Sequence, residues 1–404
     1  MKHDYDVLIV GGGLAGNCLA LALQACDLKI AIVEANTREQ LHDSPAGDRA
    51  LALASGTVKM LDALGVWQLA KSAATAIDKI HISDQGHFGK TRLSAAKEGV
   101  AALGYVITAR DLESAVADLV EQAGIEQICP ARVMGIASDD SFAHISLKQD
   151  QESLNLSAKL VVGADGGQSS VRKLLGIEQS ITEYQQTAIV TPIKTAKAHD
   201  NTAYERFTTS GPLALLPFKD EYAVVWTRNT DDAEQLMMDS EVGFIDSLQA
   251  CFGYKLGQFT LTAPRRSFPL SLIRAKSMYS GRAVIIGNAV HQLHPVAGQG
   301  FNLGLRDVVQ LAEVLLEQAE QGADIGAQQV LEEYAQQRQK DHDTVINFTN
   351  SVVKLFSNEW LALAAARNTG LALLDFIPGA KKQLARYAMG LNTRLPHVGK
   401  RRRA

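Results

Sequence analysis

Val7 to Leu23 reads VLIVGGGLAGNCLALAL: an apolar run of strand length, three adjacent glycines, then apolar residues at helical spacing. A strand that turns sharply into a helix accounts for each part. Gly11, Gly13 and Gly16 permit the tight turn, the close approach of a pyrophosphate, and close helix–strand packing, with Ala15 on the same turn. The phosphates would rest on the helix N-terminus, where backbone N–H groups lack intrahelical partners. A second apolar run, Lys29 to Val33, ends in Glu34, whose carboxylate is placed to accept hydrogen bonds from ribose hydroxyls and to repel a 2′-phosphate. The unit therefore reads as a site for FAD or NAD, and not NADP.

Two later segments narrow that choice: VVGADGGQSSVR at Val161 to Arg172 and AVIIGNAVHQLHPVAGQGFNLGLRD at Ala283 to Asp307. In this order the three segments resemble the single-component FAD-dependent aromatic hydroxylases, and within them the ubiquinone-biosynthesis hydroxylases. The resemblance runs from about residue 5 to about residue 350. ALGVW at Ala63 to Trp67 and ERFTTSGPLALLP at Glu205 to Pro217 are most similar to the branch acting on a prenylated 6-methoxyphenol. One position departs from the usual pattern, because the family's Gly-Asp pair is Gly287 and Asn288 here. An amide still donates and accepts hydrogen bonds toward a ribityl chain but carries no charge.

The resemblance implies an α/β fold of the para-hydroxybenzoate hydroxylase type. A Rossmann-like FAD-binding domain (1–178, returning at 279–350) is interleaved with a mostly antiparallel β-sheet substrate domain (179–278), and a helical C-terminal region (351–404) carries a basic tail. It implies FAD as cofactor, molecular oxygen as co-substrate, and electrons from NAD(P)H directly or through a reductase partner. The implied reaction converts a 2-polyprenyl-6-methoxyphenol to the 1,4-benzoquinol; the alternatives are another ring hydroxylation of the same pathway, a flavin-dependent reduction of a prenyl substrate, and a non-catalytic scaffold of the pathway's enzyme complex. Other enzymes of the pathway are implied partners. The basic tail, with Lys381, Lys382, Arg386, Arg394 and the run Lys400 to Arg403, reads as a solvated end or, for an enzyme of a membrane-dissolved substrate, as peripheral contact at the inner face of a membrane. The resemblance also places Arg49, Arg110 and Pro295 beside the cofactor or substrate.

The residues support a compatible reading of their own. Asp165 ends the apolar run Lys159 to Ala164 near the first strand and can hold backbone N–H groups around the cofactor. Pro295, Gly298, Gly300, Phe301 and Asn302 bring backbone to the flavin edge, with a helix beginning near Gly300 aiming its positive end at reduced flavin. Alternating runs flanking Lys219 to Glu221 predict a hairpin, with Phe207, Leu213, Leu215, Val225 and Trp226 as candidates for an apolar substrate wall. No acid or base follows from spacing. His291 and His294 read as hydrogen-bonding residues, and no further ligands cluster with them in sequence to make a metal site.

Composition sets bounds. A formal charge of −4 over 404 residues provides no basic footprint for nucleic acid. Four scattered cysteines without a CxxC pair suit a reducing, cytoplasmic setting. No signal peptide precedes the first glycine turn, and Trp360 to Ile377 carries too many polar groups to span a bilayer. The extracted flavin is expected to be FAD and not FMN, and Glu34→Arg should weaken its binding by removing two ribose hydrogen bonds, as read by equilibrium titration of the flavin-free protein.

Overall fold

The computed structural model describes residues 3–150, 152–356, 369 and 377–391. Its first sheet has a parallel core in the order Ala283–Ile285, Glu152–Gly163, Tyr5–Val10, Ile30–Val33, Glu126–Ile128. Val7, Leu8 and Ile9 are fully buried, as befits strands covered on both faces. The crossover helix, Leu14–Leu23, packs against the long helix Gln299–Glu320. Gly163 is in register with Val10, so the Asp165 turn and the Gly11 turn leave the same edge of the sheet.

The second sheet has nine strands, in the order His291–Gln292, Arg266–Ala275, Gln179–Thr195, Glu221–Asn229, Gly211–Phe218, Thr202–Thr208, Lys79–Asp84, Lys90–Ser94, with Phe259–Leu261 on the end of Gln179–Thr195. It is antiparallel except where Thr202–Thr208 runs parallel to Lys79–Asp84. Two of its strands therefore come from residues 79–94 and one from 291–292, so the sheet is not confined to the expected 179–278 segment. The hairpin turns at Lys219–Asp220, with Phe218 opposite Glu221. A three-stranded sheet, Ala50–Ala54, Gly104–Thr108 and Thr75–Ile77, packs against strand Gly211–Phe218 of the second.

Strand alternation corrects the expected substrate wall. Leu213, Leu215 and Trp226 are buried in a core with helices Thr230–Met238 and Glu241–Phe252, on the outer face of the large sheet. Their neighbours Ala214 and Leu216 face inward, and Phe207 and Val225 line the cavity as expected. A period of two leaves no freedom here, since burying one set turns the other to the opposite face.

Helix Gln328–Phe356 and helix Pro378–Ala388 close the molecule. The second packs Ala385 and Met389 onto Leu93, Ala95 and Leu103. Lys382 and Arg386 lie on its exposed side. Arg394 and the run 400–403 lie outside the described residues, as does most of Trp360 to Ile377. Among the described residues no helix is long and apolar enough to cross a membrane.

The glycine turn separates two constraints. A Cβ at Gly16 would lie 1.9 Å from the Gly11 carbonyl oxygen, whereas a Cβ at Gly13 would meet nothing within 4 Å. Gly16→Ala should therefore cost about 3 kcal/mol or more through overpacking, and Gly13→Ala about 1 kcal/mol or less at this helix N-terminus, as compared by thermal unfolding of the flavin-free proteins.

Candidate active site

The two sheets and the C-terminal helices enclose one cavity of about 1810 Å³, well above the ~300–1,000 Å³ of a pocket for a single small ligand. At one end it begins on the first glycine turn. Gly11, Gly13, Ala15, Glu34, Arg49, Asp165, Asn288, Pro295, Gly298, Gly300, Phe301 and Asn302 all line it. Residues up to 291 apart in sequence thus converge on one surface.

The details differ from residue to residue. Glu34 accepts hydrogen bonds from the Gly12 N–H at 2.8 Å and the Asn36 N–H at 2.8 Å, so its carboxylate is held at the second strand's end before any ligand arrives. Asp165 Oδ2 accepts from the N–H groups of Ser170 (2.6 Å) and Val171 (3.1 Å), while its Oδ1 is buried without a partner. Asn288 is exposed to the cavity. Helix Gln299–Glu320 starts there with no side-chain cap, after Gly298 in the left-handed conformation at φ 60°. A Cβ at Gly298 would also press on Ala52 at 2.9 Å, whereas Gly300 opens onto free space, so the fold requires the first glycine and the cavity the second. An uncapped helix N-terminus, an orphaned buried carboxylate oxygen and an open glycine turn fit a dinucleotide with a polar ring edge.

Gly16 does not line the cavity and packs the helix against the strand, the role its spacing implies. One expected residue sits elsewhere. Arg110 donates to Asp48 at 2.8 Å and to the Ser44 carbonyl at 3.2 Å, which fixes the Pro45–Asp48 turn and leaves the guanidinium off the cavity wall. Asn302 lines the cavity, but its side chain is fully engaged. Its Oδ1 accepts from the Ala54 N–H (2.9 Å) and the Thr57 hydroxyl (2.6 Å), and its Nδ2 donates to the carbonyls of Ala52 (2.9 Å) and Gly298 (2.7 Å). It braces the helix start against the three-stranded sheet.

Behind the helix start lies a network that sequence spacing did not reveal. The buried Asp307 carboxylate accepts hydrogen bonds from the Gly287 N–H (3.1 Å), His291 Nε2 (3.1 Å), His342 Nε2 (2.6 Å) and Arg338 Nε (2.7 Å). Arg338 and Arg306 both pair with Asp341 at 2.7 Å. Burial would raise the Asp307 pKa, yet His342, Arg338 and the His291 hydrogen bond hold it well below the usual carboxylate range. Burial lowers the His342 pKa while the Asp307 carboxylate opposes that shift, and the Arg338 guanidinium supplies charge against the carboxylate. His291, Asp307 and His342 do offer ligand atoms within 4.8 Å of one another, a cluster the sequence reading did not foresee. Arg338 already donates to the same carboxylate and both imidazoles are bonded to it, which makes the trio a hydrogen-bond hub. The only sequence signal was the Arg-Asp ending the third glycine segment, and its partners stand 31 and 35 residues later.

His294 lines the cavity, accepts from the Val296 N–H at 3.3 Å, and is 3.2 Å from Gln186 Oε1. Burial brings its pKa down to about 4. It is a neutral hydrogen-bonding residue.

A family model described as FAD binding domain matches residues 4–349. The chain belongs to that family. It is 34% identical to ubiquinone hydroxylase UbiL of Rhodospirillum rubrum over 95% of this chain and 89% of the relative. It is 28% identical to 3-demethoxyubiquinol 3-hydroxylase of Escherichia coli K12, over 96% and 98%. The structure of p-nitrophenol 4-monooxygenase PnpA from Pseudomonas putida superposes with a TM-score of 0.80 at 19% identity, covering 98% of this chain and 100% of the other, and shows the shared fold. The protein is an FAD-dependent monooxygenase using molecular oxygen.

Asp307→Asn should lower stability by about 3 kcal/mol or more, because Arg338 loses its buried partner. His291→Gln removes one of four donors and should cost about 1–3 kcal/mol while turnover stays within about tenfold, or ~1.4 kcal/mol. Chemical denaturation and steady-state turnover of FAD-loaded variants separate these outcomes.

Proposed function

We propose that this monooxygenase hydroxylates a prenylated 6-methoxyphenol para to its hydroxyl, giving the 1,4-benzoquinol, in ubiquinone biosynthesis. The observation that carries the reading is the cavity's second half. Beyond the glycine turns it continues into an apolar chamber walled by the large sheet and by Phe348, Val352, Leu355, Phe356 and Leu384 of the closing helices. A phenol ring near the helix start with an isoprenoid tail along these walls uses the volume that a dinucleotide leaves over, and burying the tail contributes about 25 cal/mol per Å² of apolar surface. Relatives named as ubiquinone hydroxylases support the pathway, and the resemblance of Ala63 to Trp67 and Glu205 to Pro217 to the 6-methoxyphenol branch supports that step.

In this reading FAD binds along Gly11, Gly13, Ala15, Glu34, Arg49, Asp165 and Asn288, with the flavin ring against Pro295–Asn302. Bound there, it supplies the reduced carrier that activates oxygen. The chain contributes the positive helix end that stabilises negative charge on that ring and the closed apolar walls that exclude water. Electrons come from NAD(P)H directly or through a reductase. The exposed Lys382 and Arg386 suit contact with an anionic membrane surface where such substrates dissolve.

The test is conversion of 2-polyprenyl-6-methoxyphenol by the purified FAD-loaded enzyme under ¹⁸O₂, with mass and ring position of the product determined. One labelled oxygen para to the hydroxyl is expected. A label at another ring position assigns a different hydroxylation step, and a product without label excludes oxygen insertion.

A further inference from the structure

Among the carboxyls lining the cavity, one in the middle of the large sheet lies outside all three glycine segments. Glu205 lies mid-strand in Thr202–Thr208 and lines the cavity. Register places it in a row across the large sheet, Ile82, Glu205, Ala214, Val225, Val190 and Arg266, one residue per neighbouring strand. Arg266 is four strands away, ~19 Å at about 4.8 Å per strand, and is paired with Asp48. Along its own strand Glu205 is flanked by Ala203 and Phe207, which belong to two separate apolar clusters. Phe207 stacks on Phe356 of the closing helix at 3.9 Å. Among the described residues no hydrogen bond or ion pair reaches the Glu205 carboxyl.

A charged group in an apolar wall is costly unless something meets it. Among the described residues nothing does, and a ligand in the chamber is placed to do so. We infer that the Glu205 carboxylate accepts the hydroxyl proton of the phenol substrate and acts as the base for ring hydroxylation. The inference rests on the substrate being a phenol, as proposed above.

The chemistry balances without a further reagent. The phenolic O–H bond breaks, its proton passes to Glu205, and its electron pair stays on the phenol oxygen, raising electron density at the para carbon. That carbon forms the new C–O bond with the oxygen atom drawn from O₂, the second oxygen leaving as water with two electrons from reduced nicotinamide. The para hydrogen then departs as a proton to water, and the proton held by Glu205 returns to the phenol oxygen as the ring regains aromaticity. Burial lifts the Glu205 pKa to about 7, closer to the ~10 of a phenol than an ordinary carboxyl is, and near the operating pH that favours a general base.

The sign of the pH dependence follows. The ionised, accepting form prevails above about 7, so kcat/KM should rise with pH through that value. The other titratable groups on this side of the cavity are Glu221 and Arg266 of the same sheet, His294, and Tyr387 on the closing helix, whose hydroxyl burial raises to about 12; Glu113 lines the cavity from another helix, and Asp84 lies diagonal to Glu205 beyond Ile82. Tyr387 stays neutral across the same range. The same carboxyl weakens the fold as it ionises, since its folded pKa lies above its unfolded one. Glu205→Gln should therefore stabilise the protein more at pH 8 than at pH 5.

The experiment compares FAD-loaded wild type and Glu205→Gln in hydroxylation of 2-polyprenyl-6-methoxyphenol from pH 5.5 to 8.5. It is accompanied by infrared titration of the carboxyl band with and without 2-methoxyphenol. The expected result is a loss of about 10²–10⁴-fold in kcat/KM with the limb near pH 7 abolished, unchanged FAD content, partial recovery in Glu205→Asp, and a wild-type carboxyl band titrating near 7 that shifts when 2-methoxyphenol is added. A Gln variant within about tenfold of wild type that keeps the limb overturns the role of Glu205 and leaves the proposed function standing. If the wild type itself makes no benzoquinol, the substrate reading falls, and the infrared arm decides on its own: a Glu205 band indifferent to 2-methoxyphenol overturns the inference, and a band that shifts supports it.

Discussion

One buried carboxylate sets the geometry of the site. Asp307 receives four donors from three parts of the chain: the Gly287 turn that presents Asn288, the strand carrying His291 toward the Pro295–Gly298 turn, and the helix Gln328–Phe356 through Arg338 and His342. Each donor is worth more in this dry setting than at the surface, and each would be costly to leave unpaired. The nucleotide end of the cavity and its far apolar wall are thus referred to the same atom pair. Asn302, one turn earlier on the same helix, repeats the arrangement toward the three-stranded sheet.

That rigidity is placed where charge is to be handled. The helix start is left uncapped, Asp165 keeps one buried oxygen without a partner, and Gly300 faces open space. These groups lower the stability of the empty protein and suit a cofactor that arrives with matching polar atoms. On the opposite wall Glu205 sits mid-sheet among apolar neighbours, and burial keeps its pKa high. The two walls therefore divide the labour, with fixed dipoles on the nucleotide side and a tunable acceptor on the sheet side.

The comparison of relatives fits this division. Proteins named for different ring positions match this chain over most of its length, and in the proposed reading discrimination between positions falls to the walls that hold the ring. Strand alternation makes those walls sensitive to small changes, because a residue facing the chamber has neighbours facing the outer core.

The sequence by itself determined the nucleotide half. A strand, a glycine turn and a helix are local in the chain, their spacing is dictated by backbone geometry, and Glu34 follows at the end of the next strand. The later glycine segments added the returning turns for the same reason. Only the tertiary structure decided the rest. It placed residues 79–94 in the large sheet, took Arg110 off the cavity wall to hold Asp48, and turned Leu213, Leu215 and Trp226 away while bringing Ala214 and Leu216 inward. It also joined Asp307 to His342 and isolated Glu205. Such facts depend on which strands pair and which face they bury. Pairing partners distant in sequence leave no periodic trace, so a carboxylate's burial and partners become legible only once the chain has closed around it.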